Sequence, residues 1–220
     1  MTMTRTNLTD EMENLRSEIL SMATRVEGDL RKAREALLEG NIELAEKVKA
    51  DDRTVNAMQE NIQYLAAILM ATQQPVAQDL RELVSAIRLA DNLERMGDYS
   101  VHLAKTAIKL KGSSWPRQFE ILDKMAEAGS RMIHLMIEAY LAKDVERAEA
   151  CSKLDTEVDD LHHELISITL VTLRQNTAQA DEAVKLIRTS GFLERLADHV
   201  TNSCELVSYI ITGKQTEFND

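Results

Sequence analysis

Apolar residues recur every three or four positions along almost the whole chain, and no stretch shows the two-residue alternation of a strand. From about Leu8 to Leu38 this period runs unbroken and stops at Gly40, a residue suited to ending a helix. Asn41 then stands where an N-cap belongs, before a second amphipathic stretch that continues to about Thr72. Pro75 is expected to open a third, because its missing N–H costs nothing in a first helical turn. Beyond "KGSSWPRQ" (111–118) the scheme starts again, with Asp144 as the matching cap and a break around "QNTAQ" (175–179).

The second half also repeats particular residues. "LERMGD" (93–98) returns as "LERLAD" (193–198), and around it Val84, Ile87 and Arg88 match Val184, Ile187 and Arg188. Upstream the offset changes from 100 to 103, pairing Met22 with Met125, Asn41 with Asp144, Asp52 with Asp155 and Val55 with Val158. Two registers, each kept over several positions and differing by only three residues, mark an internal duplication. The expected fold is therefore all-α, two tandem three-helix bundles, with repeats at 1–112 and 113–220.

Composition agrees with long helices. In 220 residues there are only 7 Gly and 2 Pro, against 10 Met, and aromatic residues make up 4%. A formal charge of -11 leaves no basic stripe for nucleic acid and argues against an anionic membrane surface. The longest uncharged apolar run, Leu65 to Ala71, is too short to span a bilayer, and "MTMTRTNLTD" has no apolar signal-peptide core. With two cysteines and no disulfide framework, a cytoplasmic location is the default expectation.

The acids of the repeated hexapeptide lie in an unusual place. On the third segment Leu80, Val84 and Ile87 form an apolar stripe that passes through Asp91, Glu94 and Asp98 before resuming at Val101. A solvated bundle edge would explain a single acidic pair, but such an edge has no reason to be duplicated. Folding the second hairpin antiparallel about its break sets Asp155 against Asp198 and Asp159 against Glu194. The first hairpin, folded about Pro75, sets Asp52 against Asp98 and Asn56 against Glu94. Each site thus takes residues spaced i, i+4 from two facing helices.

Two carboxylates about 5 Å apart at an effective dielectric near 20 repel by roughly 3 kcal/mol, so four together need protons, arginines or cations. Arg95 and Arg195 follow their Glu by one residue and are expected to project about 100° away, as poor neutralisers. Oxygen-rich sites on facing helices suit Fe, Mn, Mg or Zn.

A duplicated three-helix bundle carrying "LERMGD" and "LERLAD", each preceded by an acidic second helix, resembles the PhoU family over nearly its whole length. The family's E(D)xxxD signature matches Glu94/Asp98 and Glu194/Asp198, with Asp155/Asp159 as facing partner. The resemblance implies a non-enzymatic, cytoplasmic, often dimeric protein with metal clusters on these motifs. It further implies negative regulation of phosphate-starvation genes, as an adaptor between a phosphate ABC transporter's ATPase subunit and a sensor histidine kinase. Asn56 departs from the pattern, leaving the first site one acid poorer unless Asp51 or Asp91 compensates. The second site is expected to bind metal more tightly.

Weaker signals remain. His162, placed opposite Gly191, is a secondary candidate ligand, more simply a boundary histidine. Cys151 and Cys204 are expected to be neighbouring buried thiols, and Trp115 to pack the linker. Two competing functions stay open: a di-metal carboxylate-bridged enzyme, although the chain has no Glu-x-x-His, and a helical interaction protein whose acids form only salt bridges.

Overall fold

The computed structural model describes residues 2–218, with side chains from Leu8 onward; Met1, Asn219 and Asp220, at the outer ends of the two expected repeats, lie outside the described residues. All regular structure among the described residues is helical: α1 (Thr2–Glu39), α2 (Ile42–Gln73), α3 (Gln78–Lys109), α4 (Pro116–Ala142), α5 (Val145–Ser152), α6 (Asp155–Gln175) and α7 (Ala180–Thr212), with one 3₁₀ turn at Thr177–Gln179.

The two α-helical turns that the sequence marks most clearly are built alike. Gly40 has φ 64, and the Asn41 N–H reaches back to the Ala36 carbonyl at 3.0 Å. The Asn41 side chain then accepts from the Leu44 N–H at 3.0 Å and starts α2. In the second copy Asp144 does the same, its N–H bonded to the Ala139 carbonyl at 3.0 Å and its carboxylate accepting from the Arg147 N–H at 3.0 Å. Lys143, however, occupies Gly40's position with φ 52. A left-handed conformation costs a non-glycine residue about 1–2 kcal/mol, and glycine's extra chain entropy offsets part of that. Lys143→Gly should therefore stabilise the protein by about 0.5–1 kcal/mol, measurable as a rise of a few degrees in the melting temperature.

Two expectations about the helix ends are corrected. Pro75 does not open α3; it follows Gln74, the left-handed cap of α2 (φ 48), and α3 starts only at Gln78. Its missing N–H ends one helix instead of beginning the next. The middle segment of the second copy is also not continuous. Ser152 Oγ donates to the Glu149 carbonyl at 2.8 Å, the Lys153 N–H reaches that same carbonyl only at 3.4 Å, and the Leu154 N–H turns to Cys151 at 3.1 Å. A serine competing for backbone carbonyls tightens the turn and splits the helix into α5 and α6. The equivalent residues of the first copy, Lys49 to Asp51, carry no such hydroxyl, and α2 runs straight through.

The two copies meet through α3 and α7, which pack antiparallel, and through α1 and α4. Asn92 accepts from His199 Nδ1 at 3.0 Å, while Tyr99 stacks on Phe192 with ring centroids 6.0 Å apart. Positions 92 and 192, and 99 and 199, are equivalent in the duplication, so these are one contact seen from either side of a pseudo-two-fold axis. Further along, the Thr106 and Thr189 hydroxyls bond at 2.8 Å in the buried seam. Trp115 is buried and donates its indole N–H to the Glu182 carboxylate, packing the linker onto α7 as expected. Cys151 and Cys204 are buried free thiols; a hydrogen bond between them, with burial, pushes the Cys204 thiol up.

Candidate metal centres

Both acidic turns sit where a helix pair comes close. A Cβ on Gly97 would lie 3.2 Å from Val55 Cγ1, so the glycine allows α2 to press against α3 between Glu94 and Asp98. Asp52 and Asn56 flank Val55 on α2 and are carried to the same turn. Burial, then Asp98, raises the Glu94 carboxyl above its usual range, and Asp52 and Asp91 push in the same direction. The structure thus brings Asp52, Asp91 and Asp98 each within electrostatic reach of Glu94. Asn56 contributes an Oδ1 that is buried without a hydrogen-bond partner. An orphaned buried oxygen beside clustered carboxylates is a fit for a hard cation.

Two expectations fail in this first site. Arg95 does not stay clear of its neighbours: its Nε lies 3.4 Å from Glu94 Oε2 and its second nitrogen 3.1 Å from Asp98 Oδ2. The long guanidinium side chain curls back over the helix surface, which the angular spacing of the Cα atoms alone does not convey. Asp51 faces α1 instead of α3, pairing with Lys32 at 3.3 Å and Arg25 at 3.7 Å. Asp91 points toward the site's hairpin-tip side, where Gln59 and Gln63 of α2 donate to it at 2.8 and 2.7 Å.

In the second site Glu194 is raised by burial, then by Asp198 and Asp159, with Arg195 and His163 opposing. Asp198 is raised by burial and then by Asp159. Asp159 therefore serves both acids of α7, one turn more than the pairing with Glu194 alone. Asp155 is the buried first residue of α6, a position the helix break creates, where the helix dipole favours a carboxylate. Arg195 makes no ion pair within 4 Å to Glu194 or Asp198, unlike its counterpart Arg95.

His162 takes the place assigned to it: its Cε1 is 3.7 Å from where a Gly191 Cβ would be, and Nδ1 bonds Ser190 Oγ at 2.9 Å. The residue that sequence spacing undervalues is His163. Its Nδ1 donates to the Asp159 carbonyl at 2.9 Å, so in the neutral ring Nε2 carries the lone pair. Asp159 and His163 are four apart on one face, the signal that singles it out. Among the described residues no three or more His, Cys, Asp or Glu side chains are gathered around a common point, so both sites are open arrays.

The PhoU domain model matches the chain twice, at residues 19–107 and 122–207, one match to each copy. The chain belongs to the PhoU family. A phosphate-specific transport system accessory protein PhoU homolog of Clostridium acetobutylicum is 31% identical over 99% of this chain and 100% of its own length. Another from Zymomonas mobilis is 31% identical over 94% of the chain and 87% of its own. The crystal structure of PhoU from Pseudomonas aeruginosa superposes with a TM-score of 0.90 at 28% identity, covering 94% of this chain and 99% of that one. That of the phosphate transport system regulatory protein PhoU from Streptococcus pneumoniae gives 0.88 at 26% identity, over 95% and 99%. The duplicated all-helical PhoU architecture inferred from the repeat is therefore the observed one.

Proposed function

We propose that this chain is a cytoplasmic, metal-binding accessory regulator of phosphate uptake that restrains the phosphate-starvation response. It works by contact, without catalysing a reaction, as an adaptor between a phosphate ABC transporter's ATPase subunit and a sensor histidine kinase. The observation that carries this reading is the duplicated acid pair, faced in both copies by acids of the preceding helix, in a chain whose relatives are named as phosphate-transport accessory proteins. No helix among the described residues is long and apolar enough to cross a membrane, consistent with a protein that acts on membrane components from outside the bilayer.

Asp155, Asp159, Glu194 and Asp198 would hold one metal centre with His163 as an additional donor, and Asp52, Asp91, Glu94, Asp98 and Asn56 the other. Fe, Zn, Mn or Mg would neutralise the gathered acids and tie neighbouring helices together. The apolar side chains left exposed around the α2–α3 turn (Tyr64, Ile68, Val76, Leu80 and Val84) support a partner-binding end, for a transporter subunit, a kinase or a second copy. Deleting the gene should derepress phosphate-starvation genes in phosphate-rich medium; an unchanged response would remove the regulatory reading. Elemental analysis after gentle purification tests the metal: content that survives Asp155→Ala with Glu194→Ala would show the ligands to be misassigned.

A further inference from the structure

The two centres share a motif but not an electrostatic state. In the first, one guanidinium spans both acids of the α3 pair, Nε toward Glu94 and a terminal nitrogen toward Asp98, at 3.4 and 3.1 Å. Glu94 is only 15% exposed and Asp98 35%, whereas Arg95 is 57% exposed, so the arginine closes the pair from the solvent side. In the second, Arg195 stands at the equivalent position and pairs with neither acid. The first centre is also poorer by an acid, with neutral Asn56 where the second has Asp159. The cross-copy neighbours differ as well. Position 199, beside the second centre's Asp198, is a histidine, while its equivalent, Tyr99, is a phenol.

We propose that Arg95 is the built-in cation of the first centre, a competitor that an incoming metal ion must displace, so that the two centres fill in sequence, second before first. This rests on the metal-binding reading above and adds to it a residue that sets relative affinity. Nothing bonded changes on displacement. The guanidinium swings outward on its exposed stem, and Glu94 and Asp98 exchange its hydrogen bonds for metal coordination. Because the arginine is largely exposed, the competition is modest, corresponding to about a three- to ten-fold weaker first centre. Arg95 is a positioning and selectivity element: the same displacement would be harder for weakly binding cations and easier for strongly coordinating ones.

Mn²⁺ titration of chelator-treated protein, followed by the loss of the free-ion EPR signal, separates the possibilities. Wild type should show a tight and a weak class, and Glu194→Gln with Asp198→Asn should delete the tight one. Adding Arg95→Gln to that background should tighten the surviving class by about three- to ten-fold, and Arg95→Lys, a single point charge that cannot span both acids, should fall between. Unchanged or weaker binding on Arg95→Gln overturns the proposal while leaving the metal reading intact. A tight class that survives Glu194→Gln/Asp198→Asn overturns the assignment of the second centre. Absence of Mn²⁺ binding in every variant overturns both. As a check without metal, Arg95→Gln should lower the melting temperature slightly at low salt, and not when Glu94→Gln and Asp98→Asn are already present.

Discussion

Chelator-treated Glu194→Gln/Asp198→Asn protein should melt about 2–4 °C above wild type at pH 7, match it near pH 4, and lose the tighter of its two classes of metal site. The gain follows from the direction in which the fold moves both carboxyls. Burial raises both above their unfolded range, with Asp198 and Asp159 as like charges for Glu194 and Asp159 for Asp198. Between the unfolded and folded pKa the native state therefore holds more protons than the unfolded chain, and stability falls as pH rises through that window. Below the unfolded pKa the penalty is absent; above the folded pKa it is complete. The amides carry no charge and so escape it. Since both side chains are only half buried, water screens much of the repulsion and the relief is about 1 kcal/mol, or 2–4 °C for a chain of this size. A calorimetric pH series from 4 to 7.5 checks the sign. A variant that is less stable than wild type at pH 7 would mean that these carboxylates support the fold, and that the cluster is a salt-bridge surface. The combination of higher stability with lost metal affinity is what a site strained for binding should show.

The register of the acid clusters was legible in the sequence because it depends on rules with few free parameters. Helices begin at Asn41 and Asp144 through side-chain caps, hairpins fold about their breaks, and residues four apart share a face. Those rules set Asp52 and Asn56 of α2 against Glu94 and Asp98 of α3, and Asp159 against Glu194, without knowledge of any distance; in the structure Asp52 acts on Glu94 and Asp159 on Glu194. What stayed hidden depends on side-chain reach or on small competitions between hydrogen bonds. The Arg95 guanidinium travels far enough along its stem to cancel a 100° offset, so angular spacing misjudged it. Asp51 sits next to Asp52, and only the presence of Lys32 and Arg25 on α1 decides that it turns the other way. The break between α5 and α6 turns on one hydroxyl, Ser152, taking a carbonyl from the ladder, a contest of about 1 kcal/mol that periodicity does not register. Pro75 ends a helix where the sequence leads one to expect an opening, because both roles exploit the same missing N–H.

Arg16→Met should lower stability by about 3 kcal/mol, and Arg16→Met/Glu82→Leu should recover most of that loss. Glu82 of α3 is 3% exposed, and Arg16 of α1 grips it with two nitrogens, Nε to one oxygen and a terminal nitrogen to the other at 2.8 Å. Removing the arginine leaves a carboxylate in an apolar seam with no counter-ion, and the penalty is the desolvation of that charge more than the lost attraction. Burial, with Glu82 as the neighbouring negative charge, already pushes the Tyr140 phenol up, showing how poorly water reaches this pocket. The chain of 220 residues converts the loss to a drop of about 6–12 °C. Replacing both partners by apolar side chains removes the buried charge together with its counter-ion, which is why the double variant should approach wild type. The cycle also separates this pair from the acidic centres. Metal affinity in both variants should be unchanged, because Glu82 lies three turns from Glu94 on α3 and braces α1 against it, far from the carboxylate turn. A double variant as unstable as Arg16→Met alone would mean that the packing of the arginine stem, and not the buried charge, holds α1 in place.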